Sequence, residues 1–168
     1  MIDLLENIIK HRPHDVNLMG LDIGSKTIGV ALCDTTQQIA TPLTTIKRTK
    51  FSRDLKALEE IIRDYDVGGY VLGYPLNMDG SAGPKCQSIR DFGLELENQL
   101  SDDLKPAGGL WIALWDERLS TNTVESFVDR NVDISKRRAK DTGLIDKLAA
   151  QLIPVSYTHL RAHETKPN

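Results

Sequence analysis

The chain has 168 residues, 40% hydrophobic and 27% charged, with a formal net charge of −3. That size suits one domain burying about 70% of its unfolded surface, and the composition reads as globular rather than disordered or membrane-embedded. No apolar run reaches the roughly 20 residues of a membrane-spanning helix, and mild acidity argues against coating nucleic acid by bulk charge while leaving room for a local basic groove.

In chain order, residues 2–11 place Ile2, Leu5, Ile8 and Ile9 near helical spacing before Pro13. This predicts a short amphipathic helix in a loosely docked extension, residues 1–17. The segment is acidic where a signal peptide is basic. Three strands follow, residues 18–23, 27–33 and 39–46, joined by short polar turns that predict an antiparallel meander. Residues 51–65 align Leu55, Leu58, Ile61 and Ile62 as an amphipathic helix. Residues 69–73 read as a short buried strand, 74–84 as a loop rich in Gly and Pro, and 85–100 as a second helix. The apolar run 110–115 reads as a parallel strand covered on both faces. Ser120 then caps a helix to about residue 130, residues 131–142 are polar and basic, and a last helix, 143–153, stops at Pro154. The pattern predicts an α/β fold: three antiparallel strands, then two parallel strands, with helices on both faces. The domain proper is residues 18–155.

The chemistry points to carboxylates. The four histidines (His11, His14, His159 and His163) lie in the terminal segments and read as solvated, and Cys33 and Cys86 are too few for a disulfide framework or a cysteine metal site. That cysteine usage predicts a reducing cytoplasm. Asp22 interrupts an apolar strand, where a carboxylate must reach a turn, a metal or a hydrogen-bond network. Asp116 and Glu117 lie just past the strand 110–115, where parallel strands of α/β sheets form sites. Asp146 lies in the last predicted helix. Singly each reads as a surface or capping acid; together they suit a hard cation such as Mg²⁺ or Mn²⁺ that activates water for phosphodiester cleavage. The turn Asp22-x-Gly24-x-Lys26 allows close approach of backbone to phosphate. The Gly73–Ser81 stretch shapes a pocket beside the sheet, and the basic run Lys136, Arg137, Arg138 and Lys140 offers phosphate contacts without sequence reading.

Four ordered motifs carry a resemblance: GLDIGSK from Gly20, GxPLNxDG from Gly73, DERLST from Asp116, and Lys140 followed by DKLAA from Asp146. Together they resemble the YqgF/RuvX family of RNase H-like proteins, described as Holliday-junction resolvases and as pre-16S rRNA nucleases. The resemblance spans residues 18 to 153 and implies an RNase H-like fold and a cytoplasmic, metal-dependent nuclease processing the 5′ end of pre-16S rRNA. Carried over by position, Asp22, Glu117 and Asp146 form the acidic triad that would hold Mg²⁺ or Mn²⁺, with Asp116 a fourth candidate. Lys26, Arg118 and the run Lys136, Arg137, Arg138 and Lys140 face the phosphate backbone. The expected partner is nucleic acid, precursor rRNA ahead of DNA, bound by a monomer or weak dimer with no membrane association. The competing readings are a dimeric Holliday-junction resolvase on the same fold and a non-catalytic RNA-binding ribosome-assembly factor. An actin-like phosphotransferase would need a second lobe that this length does not supply.

Two features depart from the family pattern. Thr27 stands where the family usually has Arg after the lysine of the first turn, so that either one phosphate contact is missing or Lys26 carries it alone. After Ile153 the apolar run of the family's last helix gives way to a polar tail, residues 156–168, in which SYTHLRAHET resembles translated adapter sequence and reads as non-native.

Overall fold

The computed structural model describes residues 1–35 and 40–118. Outside them lie the two helices expected over 120–130 and 143–153, the basic run, Asp146 and the polar tail.

A six-stranded sheet organises these residues. Its strands are β1 (Ile2–Leu4), β2 (Asn17–Ile23), β3 (Thr27–Cys33), β4 (Ala40–Lys47), β5 (Val67–Tyr74) and β6 (Ile112–Asp116), in the spatial order β1-β6-β5-β2-β3-β4. The meander is as expected: β3 runs antiparallel to β2 and β4. β5 is parallel to both β2 and β6. Helices α2 (Phe51–Asp64) and α3 (Pro84–Gln99) fall where the apolar periodicity places them.

Strand alternation divides the sheet into two faces. Met19, Leu21 and Ile23 of β2, Ile28 and Val30 of β3, Tyr70 and Leu72 of β5, and Ile112 and Leu114 of β6 pack with Leu55, Leu58, Phe92 and Leu96 of α2 and α3. Leu18, Ala31, Val71, Ala113 and Trp115 belong to the opposite face. Helices therefore cover both faces, because Leu5, Ile8 and Ile9 pack on this second face. Each of these fully buried aliphatic side chains contributes about 1.5–3 kcal/mol by leaving water.

The N-terminal segment departs from the expectation of a loosely docked helix. Residues 2–4 form β1, an edge strand parallel to β6 with Ile2 opposite Ile112 and Leu4 opposite Leu114. The helix, α1, is only Leu5–Ile8, followed by a 3₁₀ turn, Ile9–His11. Trp111 Nε1 donates a buried 2.9 Å hydrogen bond to the carbonyl of Ile8. A methyl group at Gly93, in the middle of α3, would overlap Ile2 Cδ1. Glycine costs a helix interior about 1 kcal/mol relative to alanine; here it makes the room into which β1 packs. Among the described residues, no helix is long and apolar enough to cross a membrane.

Candidate active site

The parallel strands β2, β5 and β6 all end on the same edge of the sheet, and each end carries one of the motifs. Asp22 is the penultimate residue of β2, a central strand flanked by β5 and β3. It shares its face with Leu18 and Gly20, opposite the α2–α3 layer. Its antiparallel neighbour across the ladder is Gly29, so no bulky side chain on β3 crowds the carboxylate from that side.

Glu117 follows the last residue of β6. Its N–H donates to the carbonyl of Tyr74 at 3.1 Å, extending the β5–β6 pairing by one step and fixing where the side chain leaves the backbone. The carboxylate then lies over Gly73: a Cβ built there would stand 2.5 Å from Glu117 Oε1. Burial of the carboxyl raises its pKa above the usual 4.5, and repulsion from Asp22 and Asp116 adds to the shift, while Lys85 opposes it. The residue as a whole is exposed, and its carboxyl end lies against Gly73. Two carboxylates from the ends of β2 and β6 thus act on one another at the mouth of the sheet, and their mutual repulsion is what a divalent cation relieves. Hard oxygen donors of this kind fit Mg²⁺ or Mn²⁺. Among the described residues, no group of three acidic, histidine or cysteine side chains is assembled to hold a metal; Asp146, the third expected ligand, lies outside them.

Asp116 and Arg118 are placed differently from the carried-over roles. Successive residues of a strand point to opposite faces, so Asp116 sits on the α3 side of β6, away from the face of Asp22. It is buried and gripped by Arg118, whose Nη2 reaches Oδ2 at 2.8 Å and whose Nε reaches Oδ1 at 3.1 Å. The Arg118 backbone N–H adds a 2.9 Å bond to the same carboxylate. The remaining arm, Nη1, donates to the carbonyls of Asn77 and Met78, both at 3.3 Å. In this arrangement Arg118 ties the loop after β5 to the residue beside Glu117. A fork of fixed donors suits that task better than a lysine does.

That loop is closed on itself. Asn77 N–H donates to Ser81 O and Gly80 N–H to Asn77 O, at 2.9 and 2.8 Å. Asp79 Oδ1 accepts from the backbone and hydroxyl of Ser81, which holds its carboxyl below the usual range. Gly80 has φ +89°, a conformation glycine adopts without strain.

The first turn is held equally firmly. Gly24 N–H donates to Thr27 O at 2.8 Å across Ser25 and Lys26, and a Cβ on Gly24 would stand only 3.1 Å from that oxygen. Lys26 is therefore the exposed tip of the β2–β3 hairpin, on the same sheet edge as Asp22. Lys136, Arg137, Arg138 and Lys140 lie outside the described residues.

Two contributors, Arg48 and Lys85, were not visible from the motifs. Arg48, just past β4, donates from Nη1 to Gly24 O at 2.6 Å and stacks over Phe92 at 5.7 Å from the ring centroid. Its Nε lies 4.0 Å from buried Asp54, which also accepts from the backbone and hydroxyl of Thr49. Through Arg48 the two helices position the turn that follows Asp22. Lys85, exposed in the first turn of α3, sets its charge against Glu117. Gly73 supplies space for the Glu117 carboxylate. A basic residue after a strand reads as solvated surface unless its partners are known, so the sequence carried no signal for Arg48.

A core of five strands in the order β6-β5-β2-β3-β4, in which β3 alone runs opposite to the others, defines an RNase H-like fold. The RuvX family profile, described as Holliday junction resolvase, matches residues 16–158. Two proteins named "Putative pre-16S rRNA nuclease" are similar over most of their length. The one from Paramagnetospirillum magneticum is 47% identical over 139 residues, 83% of each chain. The one from Caldanaerobacter subterraneus is 42% identical over 142 residues, 84% of this chain and 95% of that protein. The chain belongs to the RuvX family. Among solved structures, Thermus thermophilus RuvC bound to a Holliday junction substrate aligns with TM-score 0.45 and 10% identity, covering 83% of this chain and 96% of that one.

Proposed function

We propose that the chain is a divalent-metal-dependent nuclease that hydrolyses phosphodiester bonds at the 5′ end of precursor 16S rRNA in the cytoplasm. The observation that carries this reading is the placement of Asp22 and Glu117 at the ends of β2 and β6, the two strands that flank β5, with Gly73 of β5 leaving room for the second carboxylate. Asp22 and Glu117, completed by Asp146, would hold the cation, which supplies an activated water and stabilises the departing oxygen. Arg48 and the Gly24–Thr27 turn keep Asp22 and Lys26 at a constant spacing. Arg118 keeps the Asn77–Ser81 loop against the site, and Asp116 serves as its anchor. Lys26, together with Lys136, Arg137, Arg138 and Lys140, holds the substrate backbone; such contacts set register without reading sequence.

Cleavage of precursor 16S RNA by the full chain in Mg²⁺, compared with Asp22→Asn and Asp146→Asn, tests this directly. Loss of cutting in both variants with unchanged melting is expected; undiminished cutting by both removes the mechanism. The family's description favours a second reading, resolution of four-way DNA junctions. That activity requires two sites, so symmetric junction cleavage by a sedimenting dimer, with no cutting of precursor RNA, would select it.

A further inference from the structure

The loop after β5 holds an apolar side chain in water. Met78 is 89% exposed, whereas Met1, Tyr65 and Leu94, the other exposed large hydrophobics among the described residues, range from 42 to 47%. Exposure of one methionine is unremarkable on a slack loop. This loop is not slack. Its backbone is closed by the Asn77–Ser81 and Gly80–Asn77 bonds and by the Asp79 carboxylate on Ser81. Arg118 grips the Met78 carbonyl itself and is in turn fixed by buried Asp116. Glu117 lies between those two residues in the chain. The backbone of Met78 is therefore tied by a continuous run of hydrogen bonds to the residues that flank Glu117, and its side chain stands in solvent.

The chemistry of the tip narrows what it can meet. Asp79, adjacent to Met78, is held at the tip by the backbone and hydroxyl of Ser81, and a carboxylate there makes a poor seat for a phosphate. A thioether beside that charge suits the face of a planar ring instead, through sulfur–aromatic and apolar contact. Aromatic residues make up only 5% of the chain, so stacking platforms for bases are scarce. Apolar side chains, methionine included, act as wedges against bases in other nucleic-acid complexes.

Resting on the nuclease reading above, we propose that Met78 is a substrate-positioning residue that packs against an unstacked nucleobase of the RNA strand bound at the site, fixing which phosphate lies at Asp22 and Glu117. The base is contacted through its face, so the contact orients the strand without selecting a sequence.

The chain has three methionines, Met1, Met19 and Met78, and Met19 is wholly buried. Full-length protein labelled with ¹³C at the methionine methyls is titrated with an RNA hairpin bearing a single-stranded 5′ flank, chemically protected against cleavage, while fluorescence anisotropy follows binding. The Met78 signal, assigned by its loss in Met78→Leu, should move upfield under the base ring current while Met19 stays in place. Met78→Ala should bind about tenfold more weakly, the effect of re-exposing one methionine, with unchanged melting, and Met78→Leu should bind close to the parent. Binding by anisotropy with a stationary Met78 methyl, or with full affinity in Met78→Ala, overturns the assignment and leaves the nuclease reading intact. No binding by anisotropy overturns the RNA reading and the Met78 assignment together.

Discussion

Gly73→Ala separates catalytic geometry from stability more cleanly than replacing a carboxylate does. A Cβ at residue 73 would stand 2.5 Å from Glu117 Oε1, where ordinary contact begins at 3.4 Å. The carboxylate must therefore move by about 0.9 Å. The clash is with the far end of a flexible side chain, so the displacement is cheap. Gly73 does not have positive φ, and replacing glycine by alanine where the backbone permits it stabilises a protein by about 0.4–1 kcal/mol through the unfolded state. The two effects oppose each other, and the net change should stay within about 1 kcal/mol, a shift of roughly 2–4 °C in Tm for a domain of this size. Catalysis has no such tolerance. Moving a reacting or ligating group by about 1 Å costs up to roughly 10²-fold in rate. Gly73→Ala should thus cut precursor 16S RNA about 10- to 100-fold more slowly while melting near the parent. In the double variant with Glu117→Ala, the alanine methyl has no carboxylate left to displace, so the two losses should not add. Full turnover by Gly73→Ala would refute the reasoning, because Glu117 would then not act from the position that glycine opens.

Three further outcomes follow from the same geometry. Between pH 4.5 and its raised folded pKa, Glu117 holds a proton in the native state that the unfolded chain has released, so its contribution to stability falls as pH rises through that window and stays lost above it. Glu117→Gln should accordingly be more stable than the parent to urea at pH 7 and equal to it near pH 4; an advantage that persists unchanged at pH 4 would contradict the electrostatic cause. Gly93→Ala should destabilise by about 1–3 kcal/mol through overpacking against Ile2, and in an Ile2→Ala background the same substitution should cost little in a thermal melt, whereas simple additivity would show that β1 does not occupy that space. Native Cys33 should resist iodoacetamide at pH 8, since burial pushes its thiol up to about 11; rapid labelling without denaturant would show the second sheet face to be open.

The elements that local periodicity governs were legible: α2, α3 and β2 through β6 follow from apolar spacing and turn residues. Asp22 was legible for the same reason, because a carboxylate inside an apolar strand contradicts its surroundings. What local pattern cannot carry is pairing between distant segments. The spacing of Ile2, Leu5, Ile8 and Ile9 fits a helix equally well whether or not its first residues form a strand, and β1 is settled by β6, more than a hundred residues away. One trace of that pairing was present in the sequence, the glycine at residue 93 in an otherwise regular helix. Asp116 and Glu117 pose the opposite problem. Adjacent in sequence, they read as two candidates for one site, yet a strand sends neighbours to opposite faces, and that single step makes Glu117 the partner of Asp22 and Asp116 the anchor of Arg118. The arrangement of DER is therefore a consequence of the pleat: one acid turned toward Asp22 on one side, and on the other an ion pair that holds the Met78 loop.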